Sequence, residues 1–279
     1  MRFKGLFCVA LVLGTLSCRS VVLEDRLECP SFLFFEVANP EHFQPYDRVY
    51  TTVCSHPSGG LICSESPSLG SIQGRLFYVE VRKTEAVRGY GILGGGKNVE
   101  YHGDQWLIPI GGQSDSLYRF SYVAPVQPDS FTVPVEFIKE HTKVSLQFVG
   151  METYLGRDGR FPFDVVVRSN TCGIDALSGL PVRGAFEYRP PESTLGHFDF
   201  ILPRQGDNCL TLELYGREHI YQREGFITSY DLHQILLTRG GITWREKSLP
   251  DIQLELDFKE TTVQVQVDPW EKEELKFEM

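Results

Sequence analysis

The C-terminal region of the chain carries an alternation of apolar and polar residues that constrains its secondary structure more than any other feature. In the stretch DIQLELDFKETTVQVQV, residues 251–267, apolar side chains recur at every second position on both sides of Lys259-Glu260-Thr261. Successive side chains of a β-strand point to opposite faces, so this period predicts an antiparallel hairpin with one buried and one wet face. The alternating apolar residues are Ile252, Leu254, Leu256, Phe258, Val263, Val265 and Val267.

Segments of the same type recur through most of the chain after residue 27. About ten runs of strand length are rich in β-branched and aromatic residues and are separated by Gly, Pro, Asn and Asp. Only SYDLHQILLTRGG, residues 229–241, has helical spacing, with Ser229 as its predicted cap and Gly240-Gly241 at its end. This pattern predicts an all-β fold of β-sandwiches with at most one short helix.

The N-terminus has the pattern of a secretory signal peptide. Arg2 and Lys4 precede an apolar run of about 12 residues, which is shorter than the ~20 residues of a membrane-spanning helix. A Pro-interrupted stretch, YVAPVQPDSFTVP, suggests a domain boundary near Ser130. We therefore predict residues 1–17 as a signal peptide, 18–26 as a lipid-attached spacer, 27–130 as an N-terminal β-sandwich domain and 131–279 as a C-terminal one.

Cys18 bears on how the signal is processed. Leu16-Ser17-Cys18 offers the small residue and the cysteine that a lipoprotein signal peptidase requires, because the thiol receives the diacylglyceryl group. We predict that Cys18 is lipidated and that the mature chain is held on a membrane by several acyl chains, which bind essentially permanently. The alternative is ordinary secretion, in which Cys18 is a free or bridged thiol.

Five further cysteines follow Cys18 and are candidates for disulfide bonds, since exported proteins commonly form them. No CxxC pair is present, which argues against zinc ribbons and thioredoxin-type redox motifs. An odd number leaves at least one cysteine unpaired, and Cys54 with Cys63, on either side of a Gly-rich turn, is one candidate pair. The five are Cys29, Cys54, Cys63, Cys172 and Cys209.

Composition and motifs exclude several classes of function. The net charge of −10 argues against nucleic-acid binding, which depends on Lys and Arg. The Gly-rich stretch GGGKNVEYHGD lacks the Ser or Thr that follows the lysine of a phosphate-binding loop. The nearest pair of metal-ligand residues is His102 and Asp104, and we predict no metal site, no cofactor and no catalytic residue. A pair of distant carboxylates suited to sugar hydrolysis would leave no sequence signature and stays an alternative.

Several stretches together resemble the FimB-type fimbrial anchor lipoproteins of the fimbrillin superfamily, which build type V pili. The acidic VLEDRLECP follows Cys18, and WLIPIGGQSDSLYRF and PVEFIKEHTKVSLQFVGM lie in the middle of the chain. They are followed by NTCGIDALSGLPVRGAFEYRP, by FILPRQGDNCLTLEL and by the closing hairpin SLPDIQLELDF with VQVDPW. The resemblance spans nearly the whole mature chain and rests on the order and spacing of these pieces.

The resemblance implies two tandem transthyretin-like Greek-key β-sandwich domains, attachment to the outer membrane through the lipid on Cys18, exposure at the cell surface and no catalytic activity. In this superfamily, shaft subunits are thought to lose an N-terminal strand, and a neighbour's C-terminal strand fills the groove. Here the corresponding strand, residues 27–37, continues from the membrane tether, so we expect it to stay in place. The expected partner is a pilin subunit, contacted by strand addition. The contact residues would be Val263, Val265, Val267 and Trp270.

Three other functions are compatible with the sequence. One is a surface glycan-binding lipoprotein with β-sandwich domains, since aromatic residues make up 12% of the chain and exposed rings bind sugars. The second is a hydrolase with carboxylates that the fold brings together. The third is a tip or accessory pilin whose N-terminal strand is removed.

Overall fold

The computed structural model describes residues 30–38, 48–55, 62–71, 76–82, 87–93, 98–124, 130–151, 155, 159–217, 225–259 and 262–268. The predicted all-β class is confirmed, because these residues form nineteen strands and one helix. None of the described helical residues belongs to a segment with the length and hydropathy of a transmembrane helix.

The helix, α1, spans Leu232–Gly240. The strands are β1 (Pro30–Val37), β2 (Arg48–Ser55), β3 (Ile62–Ser71), β4 (Leu76–Arg82), β5 (Val87–Leu93), β6 (Glu100–His102), β7 (Gln105–Leu107), β8 (Tyr118–Ala124), β9 (Ser130–Val135), β10 (Ile138–Lys139), β11 (His141–Val149), β12 (Phe163–Asp175), β13 (Pro181–Tyr188), β14 (Glu192–Thr194), β15 (His197–Pro203), β16 (Thr211–Gly216), β17 (Gly225–Asp231), β18 (Asp251–Asp257) and β19 (Thr262–Asp268).

The N-terminal strands form two sheets that pack face to face. Sheet I has the order β4-β1-β9, and sheet II has the order β10-β8-β5-β2-β3. Phe35 of sheet I is fully buried, and its ring lies 5.3 Å from that of Phe120 and 4.7 Å from that of Tyr122, both in sheet II. Ring contacts at this separation are favourable and bury large apolar surfaces, so this cluster joins the two sheets.

The C-terminal strands form two further sheets around a second aromatic cluster. Sheet III has the order β14-β15-β11-β18-β19, and sheet IV has the order β17-β16-β12-β7-β6, with β13 also on β12. Phe148 of sheet III and Phe163 of sheet IV both contact the ring of Phe258, at 5.6 and 6.0 Å. Side chains from the two inner faces thus interdigitate as in a β-sandwich.

Two strands from the first half of the chain belong to a sheet of the second half. β6 and β7 precede residue 130 in the sequence, yet β7 pairs with β12 of sheet IV, where Leu107 lies opposite Gly173. A Cβ atom on Gly173 would lie 2.1 Å from the carbonyl oxygen of Trp106, so glycine is required for this close approach. The domain boundary near Ser130 stays a prediction, and sheet IV draws on residues from both sides of it.

Helix α1 lies where the helical spacing predicts it, but its cap differs. Ser229 belongs to β17 and lies opposite Glu213, so the predicted cap at Ser229 is wrong. Asp231 caps the helix instead, since its side chain accepts a hydrogen bond from the backbone N–H of Gln234 at 2.8 Å. β17 extends to Asp231, and the glycine pair ends the helix with Gly241 in the left-handed region at φ 68°.

The predicted C-terminal hairpin is confirmed. β18 and β19 are antiparallel, with Asp251 opposite Asp268 at one end and Asp257 opposite Thr262 at the other. β18 also pairs in parallel with β11, which places it inside sheet III. Its apolar face is therefore buried at Ile252, Leu254 and Leu256.

Candidate functional site

β19 is the edge of sheet III and leaves one line of its backbone groups unpaired by any described strand. Its valines, Val263, Val265 and Val267, are half-buried and pack against the hydrophobic core. Gln264 and Gln266 between them are exposed on the outer face. An edge of this kind is a template on which another chain can add a strand. The structure thus places three of the four predicted contact residues together on one edge strand.

Helix α1 covers part of the inner face of β19. A Cβ atom on Gly240, the last residue of the helix, would lie 2.9 Å from Cγ1 of Val265 and 3.3 Å from Cγ2 of Val267. The helix also contacts β16 and β17, the edge region of sheet IV. It therefore lies between the edges of the two C-terminal sheets, and the valine side chains of β19 already have partners within their own chain.

The N-terminal strand β1 is the centre of sheet I. Residues 30–36 pair antiparallel with β4, and residues 32–37 pair in parallel with β9. Leu33 and Phe35 are 2% and 0% exposed. Removing β1 would separate β4 from β9 and uncover this core, so the strand is an integral part of the described sheet.

Three charged residues meet in the interior where sheet II approaches sheet III. Glu140, between β10 and β11, accepts from Nε of Arg119 at 3.1 Å through Oε1, and from Nε of Arg204 at 2.5 Å through Oε2. All three side chains are at least nine-tenths buried. Sequence reasoning missed this cluster, although one signal was available: Lys139-Glu140-His141 is a polar run between apolar strand residues.

The residues on either side of Glu140 are also buried. The Lys139 ammonium lies 2.5 Å from Oδ1 of Asp251, and burial lowers the pKa of Lys139. Nδ1 of His141 lies 3.0 Å from both the backbone nitrogen and the carbonyl oxygen of Leu117. Burial, helped by the charge of Lys139, lowers the pKa of His141 to about 3. The imidazole is therefore neutral at physiological pH.

A serine, a histidine and an aspartate meet on the outer face of sheet III, and their geometry is not that of a catalytic triad. Nε2 of His197 lies 3.2 Å from Oγ of Ser145 and 3.1 Å from Oδ1 of Asp199. In a triad, the hydroxyl and the carboxylate contact different ring nitrogens, because one nitrogen takes the serine proton while the other is held by the acid. Here Nδ1 faces the amide oxygen of Gln147 instead.

Four of the five candidate disulfide cysteines lie among the described residues. Cys54 and Cys63 are directly opposite in the β2–β3 register, a placement whose typical Cα separation suits a disulfide. Their pairing stays a prediction. Cys172 is a free thiol in β12 whose pKa is raised by burial, and Cys209 is free and exposed.

Three of the predicted site residues lie outside the described residues. They are the lipidation site Cys18, the cysteine Cys29 and the contact residue Trp270. The signal peptide and the spacer lie outside them as well.

Comparison with known proteins finds similar solved structures. No family model matches the sequence, and no curated protein matches it. The fimbrial anchor protein Mfa2 from Porphyromonas gingivalis has a similar structure, with a TM-score of 0.59 and 11% identity over 87% of this chain and 98% of that one.

Two structures from Bacteroides thetaiotaomicron are also similar. A candidate polysaccharide-binding protein gives a TM-score of 0.57 and 14% identity over 87% of this chain and 97% of that one. A candidate adhesin gives 0.52 and 10% over 87% and 97%. At sequence identities this low, structural similarity supports a shared architecture only. The likeness shows that this chain shares the fold of these three proteins.

Proposed function

We propose that this protein is an outer-membrane lipoprotein that anchors a type V fimbria, or forms an accessory part of it, at the cell surface. It would contact the neighbouring pilin by strand addition. The likeness in fold to the fimbrial anchor Mfa2 supports this function, as does the sequence resemblance to FimB-type anchors. The proposed partners are a pilin subunit and, through the lipid on Cys18, the outer membrane.

The observation that carries the proposal is the central position of β1. In the superfamily that this sequence resembles, shaft subunits are thought to lose their N-terminal strand, which opens a groove for the next subunit. β1 is hydrogen-bonded on both sides and contributes two buried apolar side chains. A subunit that keeps this strand has no such groove to offer, so it occupies one end of a polymer, as an anchor does.

The edge strand of sheet III supplies the proposed contact. Among the described strands, β19 pairs with β18 alone, and its valines are packed on the core and on α1. Pulling β19 out would expose these apolar side chains to water, at a cost of about 25 cal/mol per Å² of apolar surface. We therefore infer that β19 stays in its sheet and accepts a strand of the pilin along its open edge.

A disulfide across the hairpin distinguishes acceptance of a strand from donation. Gln253 and Gln266 are opposite each other and exposed, so Gln253→Cys with Gln266→Cys should tie β19 to β18 at little cost to stability. We expect the oxidised variant to retain fimbriae at the wild-type level, measured as the ratio of cell-bound to released fimbriae on immunoblots. Val265→Lys places a charge on the inner side of the edge strand and should lower that ratio at least tenfold, because an inward-pointing charge on an edge strand opposes the addition of a further strand.

Two controls separate the outcomes. Gln264→Lys puts the same charge on the outer face and should leave retention unchanged. If the oxidised cysteine variant loses fimbriae and reduction restores them, β19 is donated and the acceptor role is wrong. If retention survives even deletion of residues 262–279, the contact through β19 is wrong.

The membrane attachment has its own test. Cys18→Ser should move the protein from the outer-membrane fraction to the periplasm or medium, because the lipid supplies the attachment. Its circular dichroism spectrum should stay that of the wild type. Labelling with a radioactive fatty acid should mark the wild type and the control Cys29→Ser, and should leave Cys18→Ser unmarked. Label on Cys18→Ser would contradict the assignment.

A second candidate function is the binding of a surface glycan. The likeness in fold to a candidate polysaccharide-binding protein favours it, and so does a polar cavity between sheet II and the C-terminal sheets, described next. The two functions are compatible, because the cavity is lined by residues outside β19.

A further inference from the structure

A cavity of about 470 Å³ lies where sheet II approaches the C-terminal sheets, beside three connecting segments. Its walls come from residues 179–181 between β12 and β13, 204–208 after β15, and 243–247 after α1. Arg119 and Glu140 also line it. Loops held at one end of a rigid β-framework commonly form binding sites, and this volume is in the range of sites for small ligands.

The two arginines that bind Glu140 differ sharply in their hydrogen bonding. Arg204 uses every N–H of its guanidinium group. Its acceptors are Oε2 of Glu140 and the carbonyl oxygens of Trp244, Glu246, Lys139 and Lys247. This ring of carbonyls also explains the backbone of Trp244, which has a left-handed φ of 60°.

Arg119 is much less satisfied. Its Nε donates to Glu140, and Nη1 lies 3.4 Å from the carbonyl oxygen of Ala176. Its Nη2 makes no hydrogen bond or ion pair with another described residue. Nη2 lies against Gly179 of the cavity wall, where a Cβ atom would be 2.1 Å away. The residue is only 8% exposed, and Nη2 keeps a small solvent-accessible surface through which a ligand could reach it.

The charge of the cluster points to the kind of acceptor that is missing. Arg119 and Arg204 carry two positive charges, and Glu140 supplies one negative charge. An unpaired buried charge is costly, and a carboxylate is the usual partner of a guanidinium group because its oxygens match the N–H fork. A ligand with one carboxylate would neutralise the excess charge at the cavity floor.

Three further polar groups of the wall have no hydrogen-bond partner among the described residues. They are Oε1 of Gln205, Nδ1 of His233 and Nε1 of Trp244, and each side chain is more than nine-tenths buried. The first accepts, the last donates, and the histidine nitrogen can do either. These atoms are themselves covered, so contact with a ligand would require these side chains to move. Hydroxyl groups, which both donate and accept, complement such a mixture.

We propose that this cavity binds an acidic sugar. Its carboxylate pairs with Nη2 of Arg119, and its hydroxyls contact the polar groups of Gln205, His233 and Trp244. This inference deepens the second candidate function and is independent of fimbrial anchoring.

The test uses the mature protein and measures binding by isothermal titration calorimetry and thermal unfolding. The probes are glucuronic, galacturonic and N-acetylneuraminic acids, with glucose, galactose and acetate as controls at equal ionic strength. We expect at least one acidic sugar to bind at least tenfold more tightly than every control and to raise the unfolding temperature. Equal binding of a neutral sugar would overturn the role of Arg119. Acetate binding as tightly as the sugars would overturn the role of the hydroxyl contacts.

Substitutions at Arg119 and Asn208 test whether the acidic sugar binds in this cavity. Arg119→Lys keeps the charge but loses the planar fork, and should weaken binding at least tenfold. Asn208→Asp provides a second test because Asn208 is exposed in the cavity wall, so we expect the substitution to leave the fold intact. The added negative charge should lower the affinity for an acidic sugar several-fold, and Asn208→Ser should have little effect on that affinity. Unchanged affinity in Asn208→Asp would overturn the proposal. Fimbrial retention is a separate readout, so this failure would leave the anchor function standing.

Discussion

Replacement of Glu140 by glutamine is expected to lower the free energy of unfolding by about 3–5 kcal/mol, the typical cost of breaking a buried ion pair from one side. Glu140 is 3% exposed, and each of its carboxylate oxygens accepts from a different arginine. The variant leaves two buried guanidinium groups without a counter-charge. Guanidinium chloride unfolding followed by tryptophan fluorescence measures the loss.

An exposed ion pair elsewhere in the protein is the matched control. Glu136 pairs with Lys247, and both side chains are substantially exposed. Glu136→Gln should change the free energy of unfolding by less than about 1 kcal/mol, because water screens the pair. If the two substitutions cost the same, the buried cluster does not stabilise the fold in the way described.

Acidification is expected to destabilise the protein through His141. The pKa of His141 is about 3 in the folded chain, chiefly because burial disfavours the charged ring, and has its ordinary value of 6.5 in the unfolded chain. Between these values only the unfolded chain binds the proton, so the free energy of unfolding falls as the pH falls, by up to about 1.4 kcal/mol per pH unit. Above pH 6.5 this group makes no further contribution.

Removing the titrating ring tests this expectation. In His141→Asn, the side-chain oxygen can take the place of Nδ1 beside Leu117, and no proton is bound between pH 3 and 6.5. Urea unfolding at several pH values should show a flatter pH dependence than in the wild type. His102→Asn, at an exposed position, should keep the wild-type slope. A wild-type slope in His141→Asn would show that other groups cause the acid sensitivity.

The strands and the terminal hairpin were predictable because their signal is local. Alternation at Ile252, Leu254 and Leu256 fixes which face of β18 is buried, whatever strand lies beside it. The helix was predictable for the same reason. Its cap was not, because Ser229 and Asp231 are equally suitable residues, and the choice depends on how far β17 extends along β16.

Pairings between distant segments could not be predicted from the sequence. Nothing in QWL, residues 105–107, indicates that β7 joins β12 rather than a strand of its own half, because a buried tryptophan does not specify its neighbouring strand. The ionic cluster depends on three segments, around residues 119, 140 and 204, that only the folded chain brings together. A polar run in an apolar strand signals an unusual environment without naming the partner.

The candidate contact strand illustrates a different limit. Alternating valines at 263, 265 and 267 indicate a strand with one apolar face, and this pattern is the same for a core strand and for an interface strand. The fold supplies what the pattern lacks: β19 lies at a sheet edge, and its valines pack on α1 and the core. Its contact with a pilin stays a prediction.

The middle position of β1 would have a mechanical consequence if the proposed lipid on Cys18 tethers the chain. Tension along the axis of β1 would load its hydrogen bonds to β4 and β9 in shear, because these bonds run across that axis, and many bonds would have to fail together. A strand at the edge of a sheet would be held by one such ladder only. The same arrangement that keeps the strand from being released would let the molecule hold a filament against flow.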